Sequence, residues 1–159
     1  MATSANSALQ LATLLVKDSE GCRLVAYPDP ATGGDPWTIG YGATGPGIYP
    51  GVKWTQEQAD IDLQARLARL LAKIYPLVPA ATNPQLAACI SFSYNCGMAA
   101  MKGSTWFRKL KQGRIQEAAV AILKWNKAGG KVMAGLTTRR KNESRLLLGE
   151  TEWLLKRKR

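Results

Sequence analysis

The chain of 159 residues contains no histidine. This absence excludes the Ser-His-Asp triad, the Cys-His pair and the usual histidine-containing zinc sites. Hydrolytic chemistry in this chain must therefore rely on carboxylates. The acidic residues also lack the dense alternation of a calcium-binding loop, so we expect no metal and no other cofactor.

Cysteine is scarce, with Cys22, Cys89 and Cys96 as the whole set. An odd and sparse set is not typical of a secreted domain held by disulfides. We interpret the three as reduced, buried thiols. Cys89 and Cys96 lie seven residues apart, about two helical turns, so we expect both to face the same core.

Acidic residues are few: 11 Asp and Glu stand against 22 Lys and Arg, a formal charge of +11. Such an excess favours a polyanionic partner or surface, and nucleic acid, anionic cell wall and lipopolysaccharide all qualify. The basic residues are scattered and form no recognisable nucleic-acid-binding motif, so we expect no specific nucleic acid.

Long hydrophobic runs are missing as well. The segment Met1–Leu9 has neither the early positive cluster nor the apolar run of a signal peptide, and no stretch is long enough to span a membrane. We therefore expect a protein made in the cytoplasm, which something else must release if its substrate lies outside the membrane. A length of 159 residues fits one domain with a hydrophobic core.

The hydrophobic pattern predicts an α+β fold that is mainly α, as a single domain over residues 1–159. Apolar residues at helical spacing predict a helix over 8–19, and aromatic residues between Pro and Gly predict a small β-containing lobe over 20–54. The capping box Thr55–Gln58 opens a helix over 55–75, long enough to connect two lobes.

Residues 80–159, together with the helix over 8–19, are predicted to form a helical lobe. Asn83 is predicted to cap a central core helix that ends near Gly97, and Ser104 to cap the next helix. A further helix is expected over 114–125, and a helix followed by a basic tail over 137–159.

The stretch from Glu20 to Gly42 combines Glu20, Asp29 and Thr38 with many Gly and Pro residues. Two carboxylates and a hydroxyl suffice to split an acetal: one acid protonates the leaving oxygen, and groups on the far face stabilise or hydrate the oxocarbenium ion. A helix C-terminus disfavours the ionised form of Glu20, which suits a proton donor. Taken singly, however, each residue also fits an ordinary surface, turn or strand position.

Several motifs together carry a resemblance to a known family. They are Glu20-Gly21, Ala26-Tyr27-x-Asp29, Trp37-Thr-Ile-Gly-Tyr-Gly42, Trp54-Thr-Gln-Glu-Gln-Ala59, Ser91-Phe-Ser-Tyr-Asn-Cys-Gly97, Trp125-Asn-x-Ala-Gly-Gly130, Gly135-Leu136, and Arg139-Arg140 with Glu143. This set resembles the phage T4-type lysozymes, glycoside hydrolase family 24, over roughly residues 9–150. The resemblance implies a lysozyme-like fold.

The resemblance also implies roles for the site residues. Glu20 becomes the general acid, and Asp29 and Thr38 position or activate water on the opposite face. The implied reaction is hydrolysis of the β-1,4 bond between N-acetylmuramic acid and N-acetylglucosamine in peptidoglycan, with inversion favoured. The implied setting is a phage endolysin that acts on the host wall after a holin permeabilises the membrane, and we expect a monomer.

The chain departs from the family pattern between Asp29 and Thr38, where eight residues intervene, three more than is usual. The insertion makes Thr32 a rival hydroxyl and Asp35 a rival carboxylate. We favour Thr38, because the motif around it is intact.

Other residues have two interpretations each. Tyr41, Tyr94 and Asn95 are candidates for lining a saccharide groove, although the two tyrosines also fit core or rim positions. The run Lys156–Arg159 is either a solvated tail or a segment attracted to an anionic wall or outer-membrane surface.

Two other functions compete with hydrolysis. A lytic transglycosylase would need Glu20 but not Asp29, so the complete set of three residues favours hydrolysis. A basic membrane-binding or nucleic-acid-binding protein without enzymatic activity is motivated by the charge of +11.

Overall fold

The computed structural model describes residues 7–157, and the chain divides into two compact units. We call Val16–Arg66 the β unit, and Met1–Leu15 with Leu67–Arg159 the helical unit. Within the described residues the helices are α1 (Ala8–Ser19), α2 (Gln56–Ile74), α3 (Asn83–Cys96), α4 (Met98–Lys102), α5 (Thr105–Lys111), α6 (Ile115–Ala121), α7 (Ala134–Leu147) and α8 (Glu152–Leu155). The predicted α+β class, mainly α, is confirmed.

The β unit contains one antiparallel pair, β1 (Arg23–Tyr27) and β2 (Thr38–Gly40). Gly40 pairs with Arg23 and Thr38 with Tyr27, so β1 carries a bulge between its paired ends. A small apolar core lies beneath the strands. It consists of Ala26, Ile39 and Ala43, with Trp37, Ile48, Val52 and Trp54 packed against it.

Helix α2 begins at the predicted capping box. The Thr55 hydroxyl accepts a hydrogen bond from Gln58 N at 3.1 Å, and Gln58 Oε1 accepts one from Thr55 N at 2.7 Å. Each side chain thus satisfies a backbone donor that the first turn of a helix leaves unpaired.

Helix α3 is the centre of the helical unit and packs against α7. Eight consecutive residues, Leu86–Ser93, are buried, as expected of a helix enclosed on all sides. The Phe92 ring makes edge-to-face contacts with Trp106 and Trp125, at centroid distances of 4.9 and 5.3 Å. None of the helices in the described residues is long and apolar enough to cross a bilayer.

Four expectations about the helical unit need correction. Thr82, and not Asn83, caps α3, because its hydroxyl accepts from Gln85 N in a capping box while Asn83 occupies the first turn. The helix expected over 114–125 ends at Ala121 and continues only as a 3₁₀ turn, Ile122–Lys124. Helix α7 begins at Ala134, before the expected Thr137, and α8 follows as a separate short helix.

Sequence patterns also missed α4 and a hairpin of β3 (Lys127–Ala128) and β4 (Lys131–Val132). Both are too short to show a periodicity. The expectation of buried thiols holds only for Cys89, since Cys22 and Cys96 are partly exposed, although all three are free.

Candidate active site

Glu20 lies directly after the last residue of α1, as predicted. Its backbone N–H donates to the carbonyl oxygen of Val16 at 2.7 Å, so the final turn of the helix fixes the position of its backbone. Leu15 and Val16 are fully buried, whereas Glu20 is partly exposed. The apolar face of α1 thereby anchors a carboxylate that remains accessible.

A polar cluster joins the end of α1 to the beginning of α2. Lys17 Nζ lies 3.1 Å from Asp60 Oδ1, and Gln56 Nε2 donates to the same oxygen at 2.9 Å. The Tyr41 hydroxyl donates to Asp60 at 3.2 Å and accepts from Gln56 Nε2 at 3.0 Å. Sequence reasoning missed Lys17, Gln56 and Asp60, although the i, i+4 spacing of Gln56 and Asp60 places them on one helix face.

The same cluster changes two pKa values. Burial acts to raise the pKa of Asp60, but hydrogen bonds from Gln56 and Lys17 outweigh it and lower that pKa below its usual value. Burial raises the pKa of the Tyr41 hydroxyl to about 12, and the neighbouring Asp60 charge adds to the increase. Tyr41 therefore stays neutral and Asp60 ionised at neutral pH.

Tyr41 is a candidate for lining a saccharide groove and also fits a core position, and its environment favours the core position. Its side chain is only 6% exposed, and its hydroxyl already bonds to Asp60 and Gln56. A buried ring offers no free face to a sugar. In this structure Tyr41 supports the contact between β2 and α2.

Thr38 begins β2 and is held by its two neighbours. Trp37 and Ile39 pack into the core of the β unit, so alternation along the strand turns Thr38 to the other side of the sheet. The Thr38 hydroxyl donates to the carbonyl oxygen of Pro36 at 3.2 Å. The intact motif around Thr38 thus fixes its orientation.

Asp29 opens a turn that contains the inserted residues. Asp29 Oδ1 accepts from Ala31 N at 2.8 Å, and its carbonyl oxygen accepts from Gly33 N at 2.7 Å. Asp29 N donates back to the carbonyl oxygen of Gly34 at 2.9 Å, which closes the turn. The insertion therefore folds upon itself and leaves Asp29 at its base.

The two rivals in the insertion lie within this turn. The Thr32 hydroxyl donates to the carbonyl oxygen of Asp35 at 2.7 Å and accepts from Gly34 N at 3.2 Å. Thr32 is therefore committed to the turn, whereas Asp35 is exposed. Because the Thr32 hydroxyl both donates and accepts within the turn, the arrangement favours Thr38 over Thr32 as the candidate hydroxyl.

Strand pairing brings two of the three candidate catalytic residues to one end of a strand in the β unit. Tyr27, two residues before Asp29, pairs with Thr38, so Asp29 and Thr38 lie at the same end of β1. Glu20 precedes the other end of that strand. Tyr94 and Asn95 belong to α3 in the helical unit, and in residues 7–157 no cluster of cysteines or carboxylates is arranged to hold a metal ion.

Asn95 and Cys96, at the end of α3, are bound to a buried arginine. Arg140 Nη2 donates to Asn95 Oδ1 at 2.7 Å, and Arg140 Nη1 donates to Cys96 Sγ at 3.0 Å. Arg140 Nη1 also reaches the carbonyl oxygen of Trp125 at 3.3 Å. The side-chain carbonyl of Asn95 therefore has a structural role.

Glu143 neutralises part of the positive charge of Arg139 and Arg140 inside the helical unit. The Ser91 hydroxyl donates to Glu143 Oε2 at 2.6 Å, and Arg139 Nε lies 3.5 Å from the same oxygen. Arg140 Nε lies 2.7 Å from Glu143 Oε1 without the angle of a hydrogen bond, so this contact is ionic. Burial raises the pKa of Glu143, and both guanidinium groups oppose that shift.

Comparison with known proteins identifies the family. The family model described as Phage lysozyme matches residues 17–143. The chain is 39% identical to the endolysin of Bacillus phage B103 over 140 residues, which cover 87% of this chain and 53% of that protein. It therefore spans about half the length of that relative.

Solved structures of known proteins support the same family. The muramidase domain of SpmX from Asticaccaulis excentricus matches with a TM-score of 0.76 and 34% identity, over 86% of this chain and 94% of that one. The endolysin of Escherichia coli O157:H7 phage FAHEc1 matches with a TM-score of 0.77 and 32% identity, over 87% and 91%. The chain belongs to the phage lysozyme family, and its fold is lysozyme-like.

Proposed function

We propose that this protein is a peptidoglycan hydrolase, a muramidase that cleaves the β-1,4 bond between N-acetylmuramic acid and N-acetylglucosamine. The observation that carries the proposal is the placement of Glu20, Asp29 and Thr38 in one compact unit of a chain of the phage lysozyme family. The muramidase domain among its structural relatives supports the same bond.

In the proposed mechanism Glu20 protonates the glycosidic oxygen, and ionised Asp29 with Thr38 positions a water molecule on the opposite face of the sugar. The pairing that sets Thr38 at the Asp29 end of β1 supports their joint role. A water between two carboxyl groups about 6.5 to 9.5 Å apart gives inversion, the outcome we propose. A separation of about 5 to 5.5 Å would instead give a covalent intermediate and retention.

Tyr94 and Asn95, which are partly exposed on α3, are proposed to contact a saccharide. With the Asn95 carbonyl bound to Arg140, its amide N–H groups are the atoms suited to a sugar oxygen. Tyr94 would contribute a ring face.

The basic C-terminal segment is proposed to attract the protein to an anionic wall or outer-membrane surface. The guanidinium groups of Arg145 and Arg157 lie 4.6 and 5.6 Å from the Trp153 ring centroid. They surround an aromatic side chain with positive charge. Lys158 and Arg159, the rest of the predicted tail, lie outside the described residues.

The biological setting we propose is that of a phage endolysin. The protein would accumulate as a monomer in the host cytoplasm and reach the wall after a holin permeabilises the membrane. The name of its relative, the endolysin of Bacillus phage B103, supports the endolysin role.

The decisive experiment is mass spectrometry of the fragments released from purified peptidoglycan. Wild type should release reducing N-acetylmuramic ends, and Glu20→Gln should release none, because the amide cannot protonate the leaving oxygen. Glu57→Gln makes the same change at an exposed site in the same unit and should behave as wild type. Full activity of Glu20→Gln would disprove the mechanism.

A second comparison separates hydrolysis from lytic transglycosylation. Asp29→Ala should lower the rate by about a hundredfold or more, whereas Asp35→Ala should retain it. Anhydro-muramic ends from wild type, with activity kept by Asp29→Ala, would instead identify a transglycosylase that needs Glu20 alone.

A further inference from the structure

Charge is divided unevenly between the two units. The β unit carries four Lys and Arg against seven Asp and Glu, a net charge of −3. The helical unit carries eighteen against four, a net charge of +14. Long-range attraction to an anionic partner must therefore act on the helical unit.

One surface of the helical unit combines this charge with exposed apolar side chains. Residues 118–142 contain no acidic residue. The surface, here called the hairpin face, consists of Lys124, Trp125, Lys127, Lys131, Val132 and Met133. All six are exposed, including 61% of Val132, 45% of Met133 and 39% of Trp125.

The hairpin face has a fixed backbone. Lys127 pairs with Val132 and Ala128 with Lys131, and Met133 N donates to the carbonyl oxygen of Asn126 at 2.9 Å to close the base. Gly129 and Gly130 both have positive φ, of 57° and 80°, which a two-residue hairpin turn requires. Its apolar side chains are thus held outward by regular structure.

Cross-strand pairing sets a lysine beside each exposed apolar side chain. Residues directly opposite each other project to the same side of a strand pair, so Lys127 lies beside Val132. Alternation brings Lys131 and Met133 to the other side. Both sides of the hairpin therefore combine an ammonium group with an apolar group.

We infer that the hairpin face docks on an anionic lipid surface. Its lysines match lipid phosphates, and the exposed side chains of Val132 and Met133 can enter the boundary between head groups and acyl chains. A hydrated polyanion would attract the lysines but would leave the apolar side chains in water. The combination of the two therefore favours lipid. This inference is independent of the proposed catalysis.

The first test measures binding of the full chain to phosphatidylcholine vesicles with and without phosphatidylglycerol, by co-sedimentation. Wild type should bind only the anionic vesicles. Because each basic residue at such a surface contributes about a fivefold factor, replacing Lys124, Lys127 and Lys131 by Gln should lower the partition coefficient on the order of a hundredfold. The matched control replaces Lys73, Lys102 and Lys111 by Gln; these are exposed lysines elsewhere in the same unit. Its partition coefficient should fall less than about tenfold.

The second test replaces Val132 and Met133 by Ser and leaves the charge unchanged. Vesicle binding should fall, while binding to soluble polyphosphate should stay at the wild-type level. Equal losses of vesicle binding in the two triple-lysine variants would overturn the hairpin face as the binding site. Unchanged vesicle binding of the serine variant would overturn lipid insertion and leave a hydrated polyanion as the partner. Thermal unfolding of each variant verifies that it is folded.

Discussion

At the scale of single residues, the helical unit is organised around a buried ionic group. Two guanidinium groups, of Arg139 and Arg140, share the one carboxylate of Glu143, and all three side chains are at most 4% exposed. The excess positive charge is offset by oxygen acceptors, among them the Ser91 carbonyl at 3.1 Å from Arg139. Removing the carboxylate would leave two desolvated cations close together.

We therefore predict that Glu143→Gln lowers the free energy of unfolding by about 3 to 5 kcal/mol, the usual effect of breaking a buried ion pair. The control is Glu150→Gln. Glu150 lies 3.2 Å from Arg145 in an exposed ion pair. Its replacement should lower the free energy of unfolding by less than about 1 kcal/mol. Urea denaturation measures both, and equal stabilities of the two variants would contradict the prediction.

At the scale of secondary structure elements, the contact between β2 and Trp54 shapes the β unit. Gly40 ends β2 with φ of 65°, and a Cβ placed there would lie 2.9 Å from the Trp54 ring. Only glycine fits both this conformation and this contact without strain. The close approach holds in place the strand that carries Thr38.

Gly40→Ala should accordingly destabilise the protein by about 1 to 3 kcal/mol, through left-handed strain and the clash with Trp54. Gly34→Ala is the matched control, because a Cβ at Gly34 meets nothing within 4 Å and its φ is not left-handed. Chemical denaturation compares the two variants. A loss in Gly34→Ala as large as that in Gly40→Ala would refute the role of the Trp54 contact.

At the scale of the whole molecule, the helical unit carries a net charge of +14, whereas the proposed catalytic residues belong to a unit of net charge −3. The proposed attraction to an anionic wall and the proposed chemistry would thus depend on different parts of the chain. Salt should then weaken association without altering the catalytic step.

We predict that raising the ionic strength from about 0.05 M to about 0.5 M increases KM on intact peptidoglycan several-fold and leaves kcat nearly constant, because screening acts on exposed charges. Short peptide-free oligosaccharides of N-acetylmuramic acid and N-acetylglucosamine, which carry few charges, serve as the control substrate and should show a much smaller change in KM. Equal salt effects on both substrates would place the effect in the catalytic unit.

The sequence by itself determined the parts of this protein that depend on local chemistry. The apolar period of α1, the Thr55–Gln58 capping box and the Gly97 stop each involve residues within a few positions of one another, and the structure has all three. The set of motifs from Glu20 to Glu143 also indicated the family that the family model confirms.

Tertiary structure decided what depends on partners distant in sequence. The Tyr41 hydroxyl donates to Asp60, nineteen residues later, and the Arg140 guanidinium donates to Asn95, forty-five residues earlier. No local pattern encodes these contacts, because their free energy arises only when the packed core excludes water and brings the groups together.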